Sequence, residues 1–330
     1  FEQGKFDRAL LAEEGTTNQI ATPLTFSGWS TSETVMDNDG TFHPLNAKFI
    51  RVKTTAWGCQ SNSIPASNGQ TWSVSYIARK GTGNGEPKAA IMIMNTSNSH
   101  VSNIDLTFSS RDIGGGWVRY EATFTINRAD TGYIRLRFSV TATNNGYHDF
   151  ALPQVERKPY ATSFIDGTRS PETLTIPTAG VLNPQEGTVM LWVYKPAYLN
   201  YNARLLWATE GTNRFGIHDW PDGKLTFALN STDTQFTLEE PGLLAEKEWT
   251  WIVMSWKNGL VKAYVNGVLK GQQDYGSDQE AYIGDKLGIG CLPTGGQVFN
   301  GLIDELHISN RARTDEEILA AYQSGQPLPV

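Results

Sequence analysis

Cysteine is nearly missing from this chain. Cys59 and Cys291 are the only two among 330 residues, too few for a disulfide framework, so both are expected as unpaired thiols that say nothing about compartment. No run of about eighteen apolar residues occurs, which excludes an inserted membrane helix. Clusters of lysine and arginine are lacking, and the formal net charge is -7 with the acidic residues scattered. Phosphate contacts need a basic face, so nucleic acid is not an expected partner. Catalytic signatures are equally scarce. His43, His100, His148, His218 and His307 form no His-x-x-x-His or His-Glu-x-x-His spacing, and neither Gly-x-Ser-x-Gly nor a phosphate-binding glycine motif is found. Glycoside hydrolysis needs two carboxylates roughly 5–10 Å apart across the scissile bond. On a strand that reads as Glu-x-Asp-x-Glu, because every second residue faces the cleft, and no such triplet occurs. The adjacent Asp304 and Glu305 are expected to face opposite sides. A non-catalytic protein is the expectation.

What the chain does contain points to many short strands. Charged residues make up 18% and hydrophobic ones 39%, with abundant Gly, Asn, Ser and Thr, a mixture that favours strands and tight turns over long helices. The length suits two domains, each with its own core. A polar link at Glu156-Arg157-Lys158-Pro159 suggests a boundary, giving domains 1–157 and 158–330. Thr71 to Ala78 alternates large apolar and small polar residues, and Ile134, Leu136, Phe138 and Val140 alternate with Tyr133, Arg135, Arg137 and Ser139. Both predict antiparallel strands with one wet face. Gly114-Gly115-Gly116 predicts a turn. Trp249 to Trp256, Leu260 to Val265 and Val268 to Gln272, separated by Asn258-Gly259 and Asn266-Gly267, predict a three-stranded meander, since Asn-Gly takes the positive dihedrals that tight hairpins need. The chain opens at Phe1 without an initiator Met or a charged leader, and is expected to be a piece of a longer protein with flanking domains.

Near the end, Phe299-Asn300-Gly301-Leu302-Ile303-Asp304-Glu305-Leu306-His307-Ile308-Ser309 reads as a strand, and the residues after Arg311-Ala312-Arg313-Thr314 read as a short helix. Alternation places Leu302, Leu306 and Ile308 on one side and Ile303, Glu305 and His307 on the other, with Asp304 interrupting the apolar side. Thr314 stands three residues before Glu317, the capping-box spacing, and Ile318, Leu319 and Tyr322 give one apolar stripe. This pattern resembles the closing strand of the laminin G-like, concanavalin A-like jelly rolls. The resemblance extends upstream through Glu186-Gly187-Thr188-Val189-Met190-Leu191-Trp192-Val193 to Phe164-Ile165-Asp166-Gly167. In the first half, Glu13-Glu14-Gly15-Thr16-Thr17-Asn18, Ser27-Gly28-Trp29, Gln70-Thr71-Trp72, Gly116-Trp117 and Tyr147-His148-Asp149-Phe150 together resemble the galactose-binding-like jelly rolls of carbohydrate-binding modules. Gly4 to Leu10 looks like the tail of a preceding domain. The fold expected is all-β, two tandem antiparallel β-sandwich jelly rolls with one short C-terminal helix.

Aromatic rings cover the apolar face of a pyranose while neighbouring polar groups bond its hydroxyls. Of the ten tryptophans, Trp72, Trp117, Trp192, Trp249 and Trp251 sit in strand patterns and are expected in the core. Candidate ligand-binding residues lie where turns are predicted: Trp57, Tyr147 and His148 in the first half, and Tyr198, Tyr201, His218, Asp219 and Trp220 in the second, with Trp57 and Trp220 ranked first. Jelly rolls of both resembled families often hold a structural calcium ion on carboxylates and carbonyls. The resemblance therefore implies Asp166 with Asp304, and Glu14 with Asp149, as Ca²⁺ ligands; the residues alone leave open that Asp304 accepts hydrogen bonds from nearby amides. The function implied is non-catalytic recognition of a cell-surface or extracellular polysaccharide, at an extracellular or virion surface, within a phage tail fibre or secreted protein. A structural spacer of a fibre and a polysaccharide hydrolase or lyase with an unrecognised site are the alternatives.

Overall fold

The computed structural model describes residues 2–6, 8–31, 33–37, 47–53, 58–82, 85–140, 146–208, 214–229, 235–277, 279–281 and 283–325. Two compact units divide the chain, Thr16–Arg169 and Phe1–Gly15 with Ser170–Val330. All pairings within the named sheets are antiparallel, and the one helix among the described residues is Asp315–Gln323.

In the unit Thr16–Arg169, one sheet runs His100–Asp105, Pro87–Asn95, Thr131–Val140 and Cys59–Gln60, with Ile64–Pro65 also pairing to Thr131–Val140. The other runs Ser109–Gly114, Trp117–Thr125, Thr71–Lys80, His148–Glu156, Phe49–Val52 and Thr34–Met36. Their inner faces meet through Tyr76, Phe138 and Phe150, with ring centroids 5.1 Å apart for Tyr76–Phe138 and 4.4 Å for Phe138–Phe150. Thr131–Val140 has the expected wet face, since Ile134, Leu136 and Phe138 are buried while Arg135 and Arg137 are half-buried. Thr71–Lys80 does not. Ser73 and Ser75 are buried along with Trp72, Val74 and Tyr76, because a second cluster of Phe49, Ile77, Trp117, Ala151 and Leu152 covers the outer face of that sheet. Cys59 and Cys291 are free and buried, in different units.

The second unit is also a sandwich. Its seven-stranded sheet is Glu2–Gln3, Arg8–Ala12, Gly301–Ser309, Glu186–Tyr194, Trp249–Lys257, Leu260–Val265 and Val268–Asp274. Its six-stranded sheet is Leu174–Pro177, Lys286–Ile289, Ala203–Trp207, Gly216–Asp219, Leu225–Ala228 and Gln235–Leu238. The meander forms as the two Asn-Gly pairs require, with φ of 46° and 78° at Asn258-Gly259 and 50° and 77° at Asn266-Gly267. Thr314 and Glu317 make the reciprocal capping box. The helix buries Ile318 and packs Tyr322 on Trp192 and Trp251, but Leu319 is exposed, so the apolar stripe is narrower than the spacing suggested.

Two sequence expectations shift for identifiable reasons. The units do not divide at 157/158. Residues beyond Glu156 stay with the first unit because the buried Glu156 carboxylate accepts from the hydroxyls of Thr16 and Thr162 and from the Thr162 amide, and because Thr168–Arg169 pairs with Thr16–Thr17. Residues 1–15 join the other unit because Arg8–Ala12 pairs with Gly301–Ser309. The closing strand also breaks the assumed alternation. Its register to Glu186–Tyr194 shifts after Asp304 and Glu305 has a left-handed φ of 48°, so a bulge interrupts the alternation there, and ahead of it Ile303, not Leu302, is buried.

Removing residues 1–12 should lower stability by about 3 kcal/mol or more and promote association. It strips the Lys5 and Phe6 amides from the buried Asp304 carboxylate and opens the edge of the closing strand. Chemical denaturation and light scattering check this; an unchanged midpoint with a monodisperse sample would refute it.

Candidate functional site

The two-residue period of a strand sorts the segment around His218. The Phe215 ring meets Trp256 of the seven-stranded sheet at 5.0 Å between centroids, so Phe215, Ile217 and Asp219 point inward. Gly216 and His218 then point to the outer face of the six-stranded sheet. Register places Arg204, His218, Thr226 and Thr237 side by side on adjacent strands. A register irregularity between Arg204 and Leu206 brings Trp207 to the same face. Its ring centroid is 5.7 Å from His218 and 4.3 Å from the Arg204 guanidinium carbon. Gly216 is required beneath it, because a Cβ there would come within 2.8 Å of the indole.

Trp220 completes the cluster. Its ring lies 5.6 Å from His218, and its Nε1 donates to the Thr226 hydroxyl at 2.7 Å, which lies 2.6 Å from the Thr237 hydroxyl. At 37% exposure it is the most exposed aromatic among the described residues. A hydrogen bond through its indole nitrogen fixes a ring that remains open to solvent, which suits a flat apolar partner. His218 is 3% exposed and neither ring nitrogen has a partner. Burial, with Arg204 and then Arg214 adding repulsion, pushes its pKa down to about 3, so the imidazole is neutral and offers one donor and one acceptor. Burial, reinforced by Arg214, lowers Arg204 to about 10.

The inward side is different. Lys195 and Asp219, 0% and 1% exposed, form a 2.5 Å ion pair, and the lysine Nζ sits 4.4 Å from the centroid of Tyr198. Burial drives both toward neutrality, lifting Asp219 to about 6 and lowering Lys195. Asp219 and Tyr198 are therefore parts of an internal ion-pair environment, apart from the outer cluster. Tyr201 is an anchor, its hydroxyl 3.0 Å from both Glu14 Oε2 and the Val298 carbonyl. Elsewhere in this unit a groove of about 420 Å³ is lined by Lys257, Lys262, Arg313 and Asp315, but Lys262 is paired to Asp315 at 2.7 Å and Lys257 to Glu186 at 3.0 Å.

Of the candidates in the first unit, Trp57 lies outside the described residues. Tyr147 is half-buried with Arg51 3.8 Å above its ring. His148 is fully buried and accepts from the Gly81 amide at 3.3 Å, and burial lowers its pKa.

The four carboxylates implied as calcium ligands are distributed over both units. Glu14 and Asp304 belong to one unit, Asp149 and Asp166 to the other. Asp149 is held by Arg51 at 2.7 Å and Arg79 at 3.0 Å. Asp304 accepts from the amides of Lys5, Phe6 and Glu305, and Asp166 is exposed. Among the described residues no group of three or more His, Cys, Asp or Glu is placed to hold a metal. This donor set does not fit a calcium cage.

His218 gives the second unit a pH dependence of definite sign. Its pKa falls from about 6.5 unfolded to about 3 folded. The unfolded chain therefore binds more protons between those values, and stability is lost as pH falls below 6.5. The cost at pH 5 is about 2 kcal/mol relative to neutral pH. Comparing denaturation of the wild type and His218→Phe at pH 7 and 5 isolates it; parallel pH dependence in the two would contradict the assignment. Single substitutions Lys195→Met or Asp219→Leu should each destabilise by about 3–5 kcal/mol by stranding a buried charge, and the double substitution by clearly less. A double mutant as unstable as the sum of the singles would show that the pair is not the cause.

Comparison with known proteins bears on the fold. No curated protein matches the chain significantly. Among solved structures, domain 4 of AbnA, a GH43 extracellular arabinanase from Geobacillus stearothermophilus, in complex with arabinotriose, is 16% identical with a TM-score of 0.39, over 71% of this chain and 88% of that one. The CBM40 of Ruminococcus gnavus IT-sialidase bound to α2,3-sialyllactose is 16% identical with a TM-score of 0.37, over 46% and 96%. A native heptameric SAP-like pentraxin from Limulus polyphemus is 15% identical with a TM-score of 0.34, over 45% and 72%. The family model of the concanavalin A-like lectin/glucanases superfamily matches residues 166–319, a span that holds both strands of the resemblance, Glu186–Tyr194 and Gly301–Ser309, and all of the outer aromatic face: this part of the chain is similar to the concanavalin A-like jelly rolls.

Proposed function

We propose that the second unit binds a saccharide without transforming it, on the outer face of its six-stranded sheet. The observation that carries this reading is Trp220, open to solvent yet fixed by its bond to Thr226, beside a neutral His218 whose two nitrogens are unpartnered. A ring of this kind covers the C–H face of a pyranose, and the imidazole bonds a hydroxyl as donor or acceptor. The family match of residues 166–319 supports the reading, since that superfamily contains lectins as well as glucanases.

The lectin side is favoured by what the face offers. Arg204 and His218 lie on this face, and the carboxylates at its Trp220 end, Asp222 and Glu239, are both paired to Lys224, whereas hydrolysis asks for two facing carboxylates. The nearest strand carboxylate, Asp219, points inward to Lys195. No helix among the described residues is long and apolar enough to cross a membrane. A polysaccharide outside the cell is the partner we propose, with the chain acting as one part of a larger secreted or virion-surface protein.

Trp220→Ala tests the reading. It should weaken retention on a glycan array or in affinity electrophoresis by about tenfold, equivalent to about 1.4 kcal/mol, while shifting stability little because the ring is partly exposed. Unaltered retention, or release of sugar from a purified polymer by the wild-type protein, would overturn it.

A further inference from the structure

Among the described residues Arg204 is a cation without a counter-ion. Its guanidinium lies over Trp207, and its Nε and Nη1 are buried without a hydrogen-bond partner. No ion pair is formed by Arg204 or Arg214 among the described residues. Burial, and then the neighbouring cation Arg214, weaken the hold of Arg204 on its proton. His218, across the register from Arg204, is repelled by both. Two other buried charges of this chain are treated differently. Asp149 is bonded to Arg51 and Arg79, and Lys195 to Asp219. Leaving donors of a buried guanidinium unbonded costs free energy that the fold does not recover, and the cost sits on the same face as the open Trp220 ring.

We propose that this face selects acidic saccharides, with Arg204 and Arg214 receiving a carboxylate or sulfate of the sugar while Trp220 covers its ring. An arginine matches either anion through paired N–H donors, and unpartnered donors and cations on the protein are satisfied only when the anion arrives, so a neutral sugar leaves them as they were. The inference rests on the saccharide reading of this face and adds the charge of the ligand.

The test compares polygalacturonate, dextran sulfate and neutral dextran as probes in affinity electrophoresis at fixed ionic strength, with the whole chain as wild type, Arg204→Met and Trp220→Ala. The wild type should bind at least one acidic polymer tenfold or more tightly than dextran; which one is bound identifies carboxylate or sulfate as the group. Arg204→Met should remove that preference. Its melting temperature without polymer should be equal to or above that of the wild type, because an uncompensated charge has gone. Equal binding of acidic and neutral polymers, or an unchanged preference in Arg204→Met, would overturn the selectivity and leave saccharide binding standing. Preference lost in Arg204→Met but untouched in Trp220→Ala would retain the anion site and overturn the ring contact. No binding of any polymer by the wild type would overturn both.

Discussion

Strand periodicity divides the chemistry of Phe215 to Trp220 between two environments. Phe215 meets Trp256 across the sandwich, so the alternate residues face away from the core, and Asp219 is committed to Lys195 inside while His218 lies beside Trp207 outside. Trp220 follows directly after the strand and folds back to bond Thr226 on the neighbouring one. Three consecutive polar or aromatic residues are thus divided between two roles. The inward carboxylate and lysine link opposite layers near one end of the sandwich, and the outward ring and imidazole line a surface.

The chain uses three treatments of charge at low exposure. Asp149 is matched by two arginines that stack on aromatic rings, Arg51 on Tyr147 and Arg79 on Trp117, so its carboxylate is bonded along both oxygens. Lys195 and Asp219 are matched one to one. Among the described residues Arg204 is matched by nothing but the π face of Trp207. A cation–π contact returns about 1 kcal/mol, up to 2 or so when desolvated, less than a bonded carboxylate would. That contrast within a single molecule sets the outer face apart from the structural ion pairs.

Much of the architecture was legible in the sequence. The Asn-Gly turns, the capping box and the alternation of Thr131–Val140 each have one physical reading, and the structure contains them. What escaped depended on partners distant in sequence. Nothing local in Thr71–Lys80 announces that Trp117 and Phe49 will cover its second face, and nothing in Gly301–Ser309 announces the bulge at Glu305. At the candidate site, His218 and Trp220 were visible as polar and aromatic residues near a turn. Arg204 and Trp207 were not, because the register irregularity in Ala203–Trp207 hides their common face and the neighbours that define them come from Gly216–Asp219. Tyr201 looked like a ligand residue because loop composition cannot distinguish an open ring from one whose hydroxyl is tied to Glu14.

The strand Arg8–Ala12 has a consequence for synthesis. It is made before Thr16–Arg169 but, apart from Glu2–Gln3, belongs with a sheet whose other members all come after that unit, its partner Gly301–Ser309 last of all. On the ribosome the early strand has only Glu2–Gln3 beside it, while the unit that follows carries every strand of its own sheets and is free to close as it emerges. Arg8–Ala12 therefore waits with one edge open until Gly301–Ser309 has followed, and their pairing closes a loop that contains the whole of Thr16–Arg169.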